Sequence, residues 1–572
     1  MQTCPPVPSV SLAAPLWPRI FRWFITAFFL GWASGCASLP ANIGRVPSAA
    51  LAQPESTALG QLAQDRRAQA GARSDSAFYL LGGVDAALAS RLSLVDGAQR
   101  TLDLQYYAIH ADSSTEVILQ RVREAARRGV RVRILLDDFN SVGEDAQVLR
   151  LAFEPNVQMR LFNPLTGSRR NMAARILSSM HDFSSMQKRM HNKLFIADNA
   201  WGITGGRNLG DMYFGTGDKE NFVDLDVLAV GRIVRDMSTS FDRFWNDELA
   251  YPVQTLLDPE DLDALRKPEP SASGAPGTPG VQAQGQVLPV TLSQTVLPTV
   301  TPAEAAQAER TPIDLNTVPL IWAPSTLLAD KPGKVGPDDD EVNAGDTAID
   351  GLLSLIQQAQ RDVLIISPYF VPGDHMMAVY QQLRQRGVRI RVLTNSLASN
   401  DAPAAHAGYA RFRDGLLAMG VEIYEMRSDP DTANKLLGSH GAGSNEHRGT
   451  WLGSGVGGSK GGTSRASLHS KVVIIDQRLA MIGSMNLDLR SALKNSEVGL
   501  VIRSAAVAQQ ATQQVETTLT TAAYRLERRD GHFYWQAPAG ASFPSETSEP
   551  GASAKLKLMV RVLGPFAPEQ ML

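Results

Sequence analysis

The sequence predicts an α/β protein made of two tandem copies of one module, each with a mostly parallel or mixed sheet flanked by helices. Three pairs of similar segments predict the duplication. The longest pair is RMHNKLFIADNAWGITGGRN at 189–208 and SLHSKVVIIDQRLAMIGSMN at 467–486. The shorter pairs are AQRTLDLQYY at 98–107 with AQRDVLIISPYF at 359–370, and RRGVRVRILLDD at 127–138 with QRGVRIRVLTNS at 385–396. The shorter segments read as strands with a helix between them, an alternation typical of a sheet covered on both faces.

The first forty residues have the shape of an export signal. Arg19 and Arg22 precede the apolar run WFITAFFLGW, which is too short to span a bilayer at about 1.5 Å per residue. The stretch ASGC that follows resembles the lipobox of bacterial lipoproteins. We therefore expect an export signal at 1–36, with Cys36 as the lipidated first residue of the mature chain, and a low-complexity tether at 37–75. Simple secretion and an uncleaved anchor are the alternatives.

The remaining boundaries follow from the repeat and from local composition. We expect the first module at 76–266 and the second at 313–545. Residues 267–312 between them are rich in Pro, Gly, Ser and Gln, a composition that cannot bury enough surface to fold, and they are predicted to be a flexible linker. A Gly/Ser-rich loop at 438–465 interrupts the second module just before its His motif, and 546–572 is a C-terminal tail.

Composition limits the functions open to the chain. With 572 residues and 44% hydrophobic content, it is a globular protein too long for one ordinary core. Lys and Arg total 55 against 58 for Asp and Glu, and the pI is about 6.3, so no basic field gathers nucleic acid. No nucleic acid partner is expected. Cys4 would leave with the signal, so the mature chain has one cysteine and no disulfide framework.

The longest repeat carries His, Lys, Asp and Asn at the same spacings in both copies. They are His191, Lys193, Asp198 and Asn208 in the first copy and His469, Lys471, Asp476 and Asn486 in the second. One His-Lys pair could simply lie on the solvent-exposed face of a sheet, but the same spacing is not expected to occur twice by chance. This repetition favours a functional role for these residues over the water-facing side of a sheet.

These residue types suit attack on a phosphodiester. The reacting group is an anion, so it needs positive charge and hydrogen-bond donors at its non-bridging oxygens, which the lysines and asparagines supply. One imidazole is a neutral nucleophile near pH 7, and the other can exchange protons with the leaving and entering alcohols. An ammonium group at the centre of the motif would repel a cation, which disfavours a metal site. No cofactor is expected.

An HxKxxxxD motif followed by a GGxN or GSxN turn resembles the phospholipase D superfamily. Segments such as DLQYYAIHAD, GGRNLGDMYF, HAGYARFR and GSMNLDLRSALKNSEVGLVI are similar to the bacterial cardiolipin synthase C-type branch of it. This resemblance implies two modules packed as a pseudo-twofold pair, with both His-Lys pairs in one cleft and a covalent phosphohistidine intermediate. It implies His191 as the nucleophile and His469 as general acid and base, although the duplication makes the two roles nearly interchangeable on sequence alone.

Four carboxylates accompany the histidines. DLDVLAV and NSEVGLV align on their valines and place Asp226 opposite Glu497, so these two are our candidates for the acids that orient the imidazoles. Asp198 and Asp476 belong to the repeated motif and are candidate catalytic residues with its histidines and lysines. We expect them to tie each strand to a neighbouring loop rather than to contact substrate, and a catalytic role is the alternative.

The resemblance also implies the class of reaction. Members of this branch move a phosphatidyl group between phospholipids, with phosphatidylglycerol as acceptor and phosphatidylethanolamine as a candidate donor. Lipid substrates and the predicted anchor place the protein at a membrane of the bacterial cell envelope. The alternatives are a hydrolytic phospholipase D, a phosphodiester nuclease, and a membrane-tethered binding protein with a dead site. The sequence leaves the oligomeric state and the need for an accessory protein open.

Overall fold

The computed structural model describes most of both predicted modules. The described residues are 39–166, 175–176, 179, 183–257, 312–336, 347–429 and 465–563. The predicted export signal with Cys36 lies outside them. Residues 267–311 of the predicted linker and 438–464 of the predicted Gly/Ser-rich loop also lie outside them.

The first module forms a nine-stranded sheet in the order β10-β1-β8-β6-β5-β2-β3-β4-β9. The strands β2, β3 and β4 are parallel, and the remaining pairings are antiparallel. The sheet is therefore mixed. Its strands are β1 (Ser76–Leu81), β2 (Thr101–Tyr106), β3 (Arg131–Asp137), β4 (Val157–Phe162), β5 (Leu194–Ala197), β6 (Trp201–Thr204), β8 (Asp226–Gly231), β9 (Ala250–Pro252) and β10 (Ile321–Trp322).

The second module repeats this architecture. Its nine strands lie in the order β11-β18-β17-β16-β12-β13-β14-β19-β20, and here β12, β13 and β14 are the parallel strands. From β11 to β19 the order matches that from β1 to β9, which confirms the predicted duplication. The strands are β11 (Ser325–Ala329), β12 (Asp362–Ile366), β13 (Arg389–Asn395), β14 (Glu422–Met426), β16 (Val472–Ile475), β17 (Leu479–Gly483), β18 (Val498–Arg503), β19 (Ala523–Arg529) and β20 (His532–Gln536).

Helices cover the sheets and join their parallel strands. The helix between β2 and β3 begins where the Asp112 side chain accepts a hydrogen bond from Thr115 N, and it ends just before Gly129, whose φ of 96° suits glycine. The helices are α1 (Ala58–Gln69), α2 (Val84–Gly97), α3 (Ser113–Arg127), α4 (Phe183–Gln187), α5 (Arg232–Trp245), α6 (Val253–Leu256), α7 (Ala348–Gln357), α8 (Gly373–Gln385), α9 (Pro403–Ala410), α10 (Arg413–Ala418), α11 (Leu489–Leu493), α12 (Ala505–Thr521) and α13 (Ala554–Leu563).

The two modules are packed together reciprocally. Helix α5 of the first module contacts β11 of the second, and α12 of the second contacts β1 of the first. Between them, β7 (Glu220–Val223) pairs in parallel with β15 (Arg465–Leu468), and one buried apolar cluster contains residues of both modules. The interface is thus a continuous core, which fixes the two His motifs relative to each other.

Three predicted boundaries differ from the structure. Part of the predicted tether, 37–75, is the packed helix α1, whose Leu59 and Ala63 are buried against the first module. The second module was predicted to begin at residue 313, but β10, at Ile321–Trp322, belongs to the first sheet. The predicted tail from residue 546 pairs with Trp535 and continues into α13 on the second module. In each case tertiary packing supplies the partner that local composition does not reveal.

Candidate active site

The paired motifs lie at equivalent places in the two sheets. His191 and Lys193 immediately precede β5, and His469 and Lys471 lie between β15 and β16. Both histidines are buried, with 9% and 6% of their surface exposed. Backbone hydrogen bonds from His191 N to Ser496 O (3.0 Å) and from His469 N to Val223 O (2.9 Å) attach each histidine to the opposite module.

Asp198 and Asp476 form the turn behind each motif. Both have positive φ, near 51° and 52°. The Asp198 carboxylate accepts the backbone N–H groups of Gln99, Arg100 and Thr101, and that of Asp476 accepts those of Gln360, Arg361 and Asp362. These two carboxylates therefore tie a hairpin to the start of the neighbouring strand in each sheet, as the sequence predicts.

A carboxylate from the opposite module holds Nδ1 of each imidazole. His191 Nδ1 lies 3.0 Å from Glu497 Oε2, and His469 Nδ1 lies 2.7 Å from Asp224 Oδ2. Both acids are fully buried. Because Nδ1 is engaged, Nε2 is the nitrogen left for chemistry.

The prediction that Asp226 orients an imidazole is wrong. Its carboxylate lies 2.9 Å from Arg91 Nη2 and 3.5 Å from Arg207 Nη1, both in its own module. The residue that reaches His469 is Asp224, two positions earlier in DLDVLAV, in the irregular stretch between β7 and β8. Aligning the two segments on their valines pairs equivalent positions of β8 and β18. In the first module, however, the acid that reaches the opposite module is Asp224, which precedes β8.

The second residue of each Gly-rich turn explains this asymmetry. A Cβ placed on Gly206 would lie 2.4 Å from the oxygens of Asp224, so only glycine leaves room for that carboxylate. The equivalent residue in the second copy is Ser484, whose hydroxyl donates to Glu497. Ser491 Oγ donates to the same carboxylate at 2.8 Å. The longer Glu497 is therefore held by two hydroxyl groups, whereas Asp224 packs directly against backbone.

Burial dominates the electrostatics of the lysines and imidazoles. It lowers the pKa of Lys193 to about 7 and that of Lys471 to about 8, with Glu497 and Asp224 opposing the shift. Burial and the nearby Lys471 lower the pKa of His469 to about 4, although Asp224 raises it. Burial followed by the charges of Lys193 and Lys471 lowers the pKa of His191 well below its usual value. The resting imidazoles are thus neutral at pH 7.

The two orienting acids differ in charge. Burial raises the pKa of Glu497 to about 7, despite Lys193 and the two serine hydroxyls. Burial also acts on Asp224, but the hydrogen bond and charge of His469, with Lys471 and Arg207, lower the pKa of Asp224 below its ordinary value. Asp224 is therefore ionised at neutral pH, whereas Glu497 is close to half protonated.

The two asparagines of the motif are not equivalent. Asn208 Nδ2 donates to the Tyr213 hydroxyl at 2.9 Å, and its Oδ1 accepts from Ala108 N at 3.2 Å. Asn486 is also buried, yet its Oδ1 has no hydrogen-bond partner among the described residues. The side chain of Asn486 is therefore available for a ligand, while Asn208 is committed to the protein.

Aromatic rings that were not predicted from the sequence lie against both histidines. Tyr107 meets the His191 ring edge-on at 5.3 Å between centroids, and Tyr213 meets His469 in the same way at the same distance. Phe222 packs on His469 at 4.8 Å. A signal for Tyr107 and Tyr213 existed in the quoted segments DLQYYAIHAD and GGRNLGDMYF.

The described ranges contain neither a metal-binding cluster of side chains nor a helix suited to span a membrane. There, no group of three or more His, Cys, Asp or Glu side chains is arranged to hold a metal ion. No helix within the described residues is both long and apolar enough to cross a bilayer.

Comparison with known proteins gives one consistent family. The family model described as "Cardiolipin synthase, PLD-like domain" matches residues 92–245 and 352–519, more than half of the chain. Cardiolipin synthase C of Escherichia coli K12 is 35% identical over 482 residues, covering 83% of this chain and 92% of that protein. An uncharacterised protein of Helicobacter pylori strain 26695 is 28% identical, covering 95% of this chain and 97% of its own length.

The crystal structure of phosphatidylserine synthase from Haemophilus influenzae Rd KW20 shares the fold. It aligns with a TM-score of 0.52, covering 89% of this chain and 100% of that chain, at 14% sequence identity. The fold match extends over both modules, so the two-sheet arrangement is that of a known phospholipase D-like architecture.

Proposed function

This chain belongs to the cardiolipin synthase family of PLD-like domains, and we propose that it is a phosphatidyltransferase that works through a covalent phosphohistidine. The observation that carries the proposal is the reciprocal pairing of His191 with Glu497 and of His469 with Asp224. It gives two neutral, oriented imidazoles beside two buried lysines, with one imidazole for each of the two roles that a double displacement at phosphorus needs.

In the first step, His191 Nε2 attacks the phosphorus of the donor lipid. A P–N bond forms and the bond from phosphorus to the headgroup oxygen breaks. His469, which takes up a proton at Nε2 when the anionic donor binds, gives that proton to the headgroup oxygen. In the second step, His469 takes the proton of an acceptor hydroxyl, whose oxygen attacks phosphorus and breaks the P–N bond. His191 is released, and the proton count on His469 returns to its starting value.

The different charges of the orienting acids support this assignment of roles. The general acid must be protonated when the donor reacts, and the ionised Asp224 favours an imidazolium on His469. The nucleophile must be neutral, as His191 is, and Glu497 can ionise near neutral pH to accept from its Nδ1. An anionic phosphodiester between Lys193 and Lys471 offsets the positive charge that lowers the histidine pKa values.

The remaining polar groups serve the phosphate oxygens. Lys193 and Lys471 are buried beside their histidines, each donating to the carbonyl of the histidine two residues earlier. They stabilise the charge that develops on the non-bridging oxygens. The Nδ2 group of Asn486, whose Oδ1 has no partner among the described residues, is the proposed neutral donor beside them. Asn208 acts indirectly by holding Tyr213 against His469.

The class of lipid follows from the name of one relative, cardiolipin synthase C. We propose phosphatidylglycerol as the acceptor and phosphatidylethanolamine as a donor, with cardiolipin as the product. Cys36 is the proposed lipid anchor, which would hold the enzyme at the membrane of the cell envelope that contains its substrates.

The test is mass spectrometry of the lipids formed by the full chain in vesicles of phosphatidylglycerol and phosphatidylethanolamine. Cardiolipin is expected from the wild type, and none from His191→Ala or His469→Ala. Phosphatidic acid as the main product would instead establish a hydrolase. If no lipid product forms, the substrate is another phosphodiester and the proposal fails.

A second measurement separates the roles of the histidines. Intact-protein mass spectrometry after rapid quenching should detect a phosphatidyl adduct in His469→Ala supplied with a donor that carries a good leaving group, because that variant lacks the base for the second step. The adduct should be absent from His191→Ala. An adduct on His469 in the wild type would reverse the assignment.

A further inference from the structure

The last described helix of the chain, α13, lies on the outside of the second module. It begins after a turn in which Gly551 has a φ of 65°, and it packs on α9. A Cβ placed on Gly551 would lie 3.3 Å from the Cβ of Ala398, so the turn contacts the loop that follows β13. The helix is therefore docked rather than free.

One apolar face of α13 is not covered by any other part of the chain that the structure describes. Leu558 is 61% exposed and Val562 is 54% exposed, which places them among the few large hydrophobic side chains that stand out from the described surface. They are four residues apart and so lie on one stripe of the helix. Leu556, Met559 and Val560 are half-buried on other faces. The helix has apolar residues both toward the protein and toward solvent.

The charges beside this stripe are all positive. The helix AKLKLMVRVL contains Lys555, Lys557 and Arg561 and no acidic residue. Lys557 donates to Ser548 Oγ at 3.0 Å, whereas Lys555 and Arg561 are exposed. Apolar side chains flanked by basic ones fit the interfacial region of an anionic bilayer, where the first enter the acyl boundary and the second meet phosphate groups.

The helix is also connected to the border of the active site. The loop that contacts Gly551 includes Asp401, whose carboxylate accepts from the Tyr369 hydroxyl at 2.7 Å and contributes to the electrostatic environment of Lys471. Ala398 O of the same loop accepts from Arg465, at the start of the strand that leads to His469, at 3.2 Å. The surface that holds α13 thus adjoins a loop that contacts the residues leading to His469 and Lys471.

We propose that the exposed face of α13, formed by Leu558, Val562, Lys555 and Arg561, docks on a bilayer surface rich in anionic phospholipid. This rests on the proposed function insofar as the substrate is a membrane lipid, but the docking is a separate property. A membrane-facing helix would supply the enzyme with lipid from a surface, and it would act in addition to any covalent anchor, which by itself does not orient the modules.

The proposal is tested with the full chain in three forms. The helix variant is Leu558→Glu with Val562→Glu, and the matched control is Ile43→Glu with Val46→Glu, which changes two side chains that are 73% and 69% exposed elsewhere. Turnover is measured on phosphatidylglycerol vesicles and on short-chain phosphatidylglycerol below its critical micelle concentration. Amide hydrogen exchange in 554–563 is followed with vesicles of phosphatidylglycerol or phosphatidylcholine.

We expect the helix variant to lose at least tenfold of its turnover on vesicles and none on monomeric lipid, because burial of each apolar side chain in the interface is lost. The control should keep both activities. Exchange in 554–563 should slow with phosphatidylglycerol vesicles in the wild type. Lys555→Gln with Arg561→Gln should weaken the response to anionic vesicles about fivefold per charge.

Unchanged exchange or equal vesicle turnover in wild type and helix variant would overturn the proposal. So would equal loss on both substrates with a lower melting temperature, which would make the face structural. A change of oligomeric state in the variant, independent of vesicles, would identify a protein interface instead. If the wild type turns over no lipid, the proposed function fails, and the exchange measurement alone decides the docking.

Discussion

His469 Nδ1 lies 2.7 Å from the carboxylate of Asp224, although 245 positions separate the two residues and they belong to different modules. Glu497 and His191 form the reciprocal pair across 306 positions. Neither module alone has an oriented histidine. The packing of β7 on β15 and the shared core therefore belong to the catalytic machinery as much as the motifs do, because they fix the distance between each imidazole and its acid.

Asp224→Asn and Asp226→Asn should have different effects. The first removes the anion that orients His469, so kcat should fall about a hundredfold or more with little change in melting temperature. The second breaks the buried pairs with Arg91 and Arg207, and it should cost about 3–5 kcal/mol of unfolding free energy. Lipid turnover and thermal unfolding of both proteins provide the comparison. Loss of kcat at unchanged stability in Asp226→Asn would restore the valine-based assignment.

The dependence of kcat/KM on pH should be bell-shaped with a narrow maximum at about pH 7. Glu497, with a pKa of about 7, must be ionised to accept from His191 Nδ1, so activity rises through that pH. Lys193 and Lys471, with pKa values of about 7 and 8, must be protonated to bind phosphate, so activity falls above it. Glu497→Gln should lower the rate and flatten the acid limb, and an acid limb that stays unchanged would exclude Glu497 as its source.

Asn486→Ala and Asn208→Ala should separate ligand binding from support. Asn486 has an unpartnered Oδ1 among the described residues, so its loss should reduce kcat/KM about tenfold or more without lowering stability. Asn208→Ala removes hydrogen bonds to Tyr213 and Ala108 and should cost about 1–3 kcal/mol of stability. Steady-state kinetics and denaturant unfolding measure the two effects. A stability loss confined to Asn486→Ala would contradict the assignment.

Asp198→Ala and Asp476→Ala should lower stability more than catalysis. Each aspartate accepts three backbone N–H groups, and Asp198 is fully buried whereas Asp476 is partly exposed to water. We expect a cost of about 3 kcal/mol for Asp198→Ala and a smaller one for Asp476→Ala, since water can satisfy the freed groups only at the second site. Urea unfolding monitors this order. Equal stability with abolished kcat in both variants would make these aspartates catalytic.

The fold was predictable because the chain repeats its periodicity. The segments 98–107 and 359–370 became β2 and β12, the segments 127–138 and 385–396 contain β3 and β13, and the helices between them end just before Gly129 and Gly387. Strand propensity and glycine caps are local properties that residues carry without distant partners. The spacing of His and Lys likewise predicted the side chains that each copy brings to its half-site, whereas the Asp of each motif closes the turn behind it.

The tertiary structure decided what crosses from one module to the other. It selected Asp224 over Asp226, because a two-residue difference in an irregular stretch determines whether a carboxylate meets His469 or the arginines of its own sheet. It also packed α1 and α13, which composition alone had placed in a tether and a tail, onto apolar surfaces far away in the sequence. Alternation and repetition of residue types can be recognised in the sequence. The partner of a buried charge or of an apolar helix face cannot, because tertiary packing brings it from hundreds of positions away.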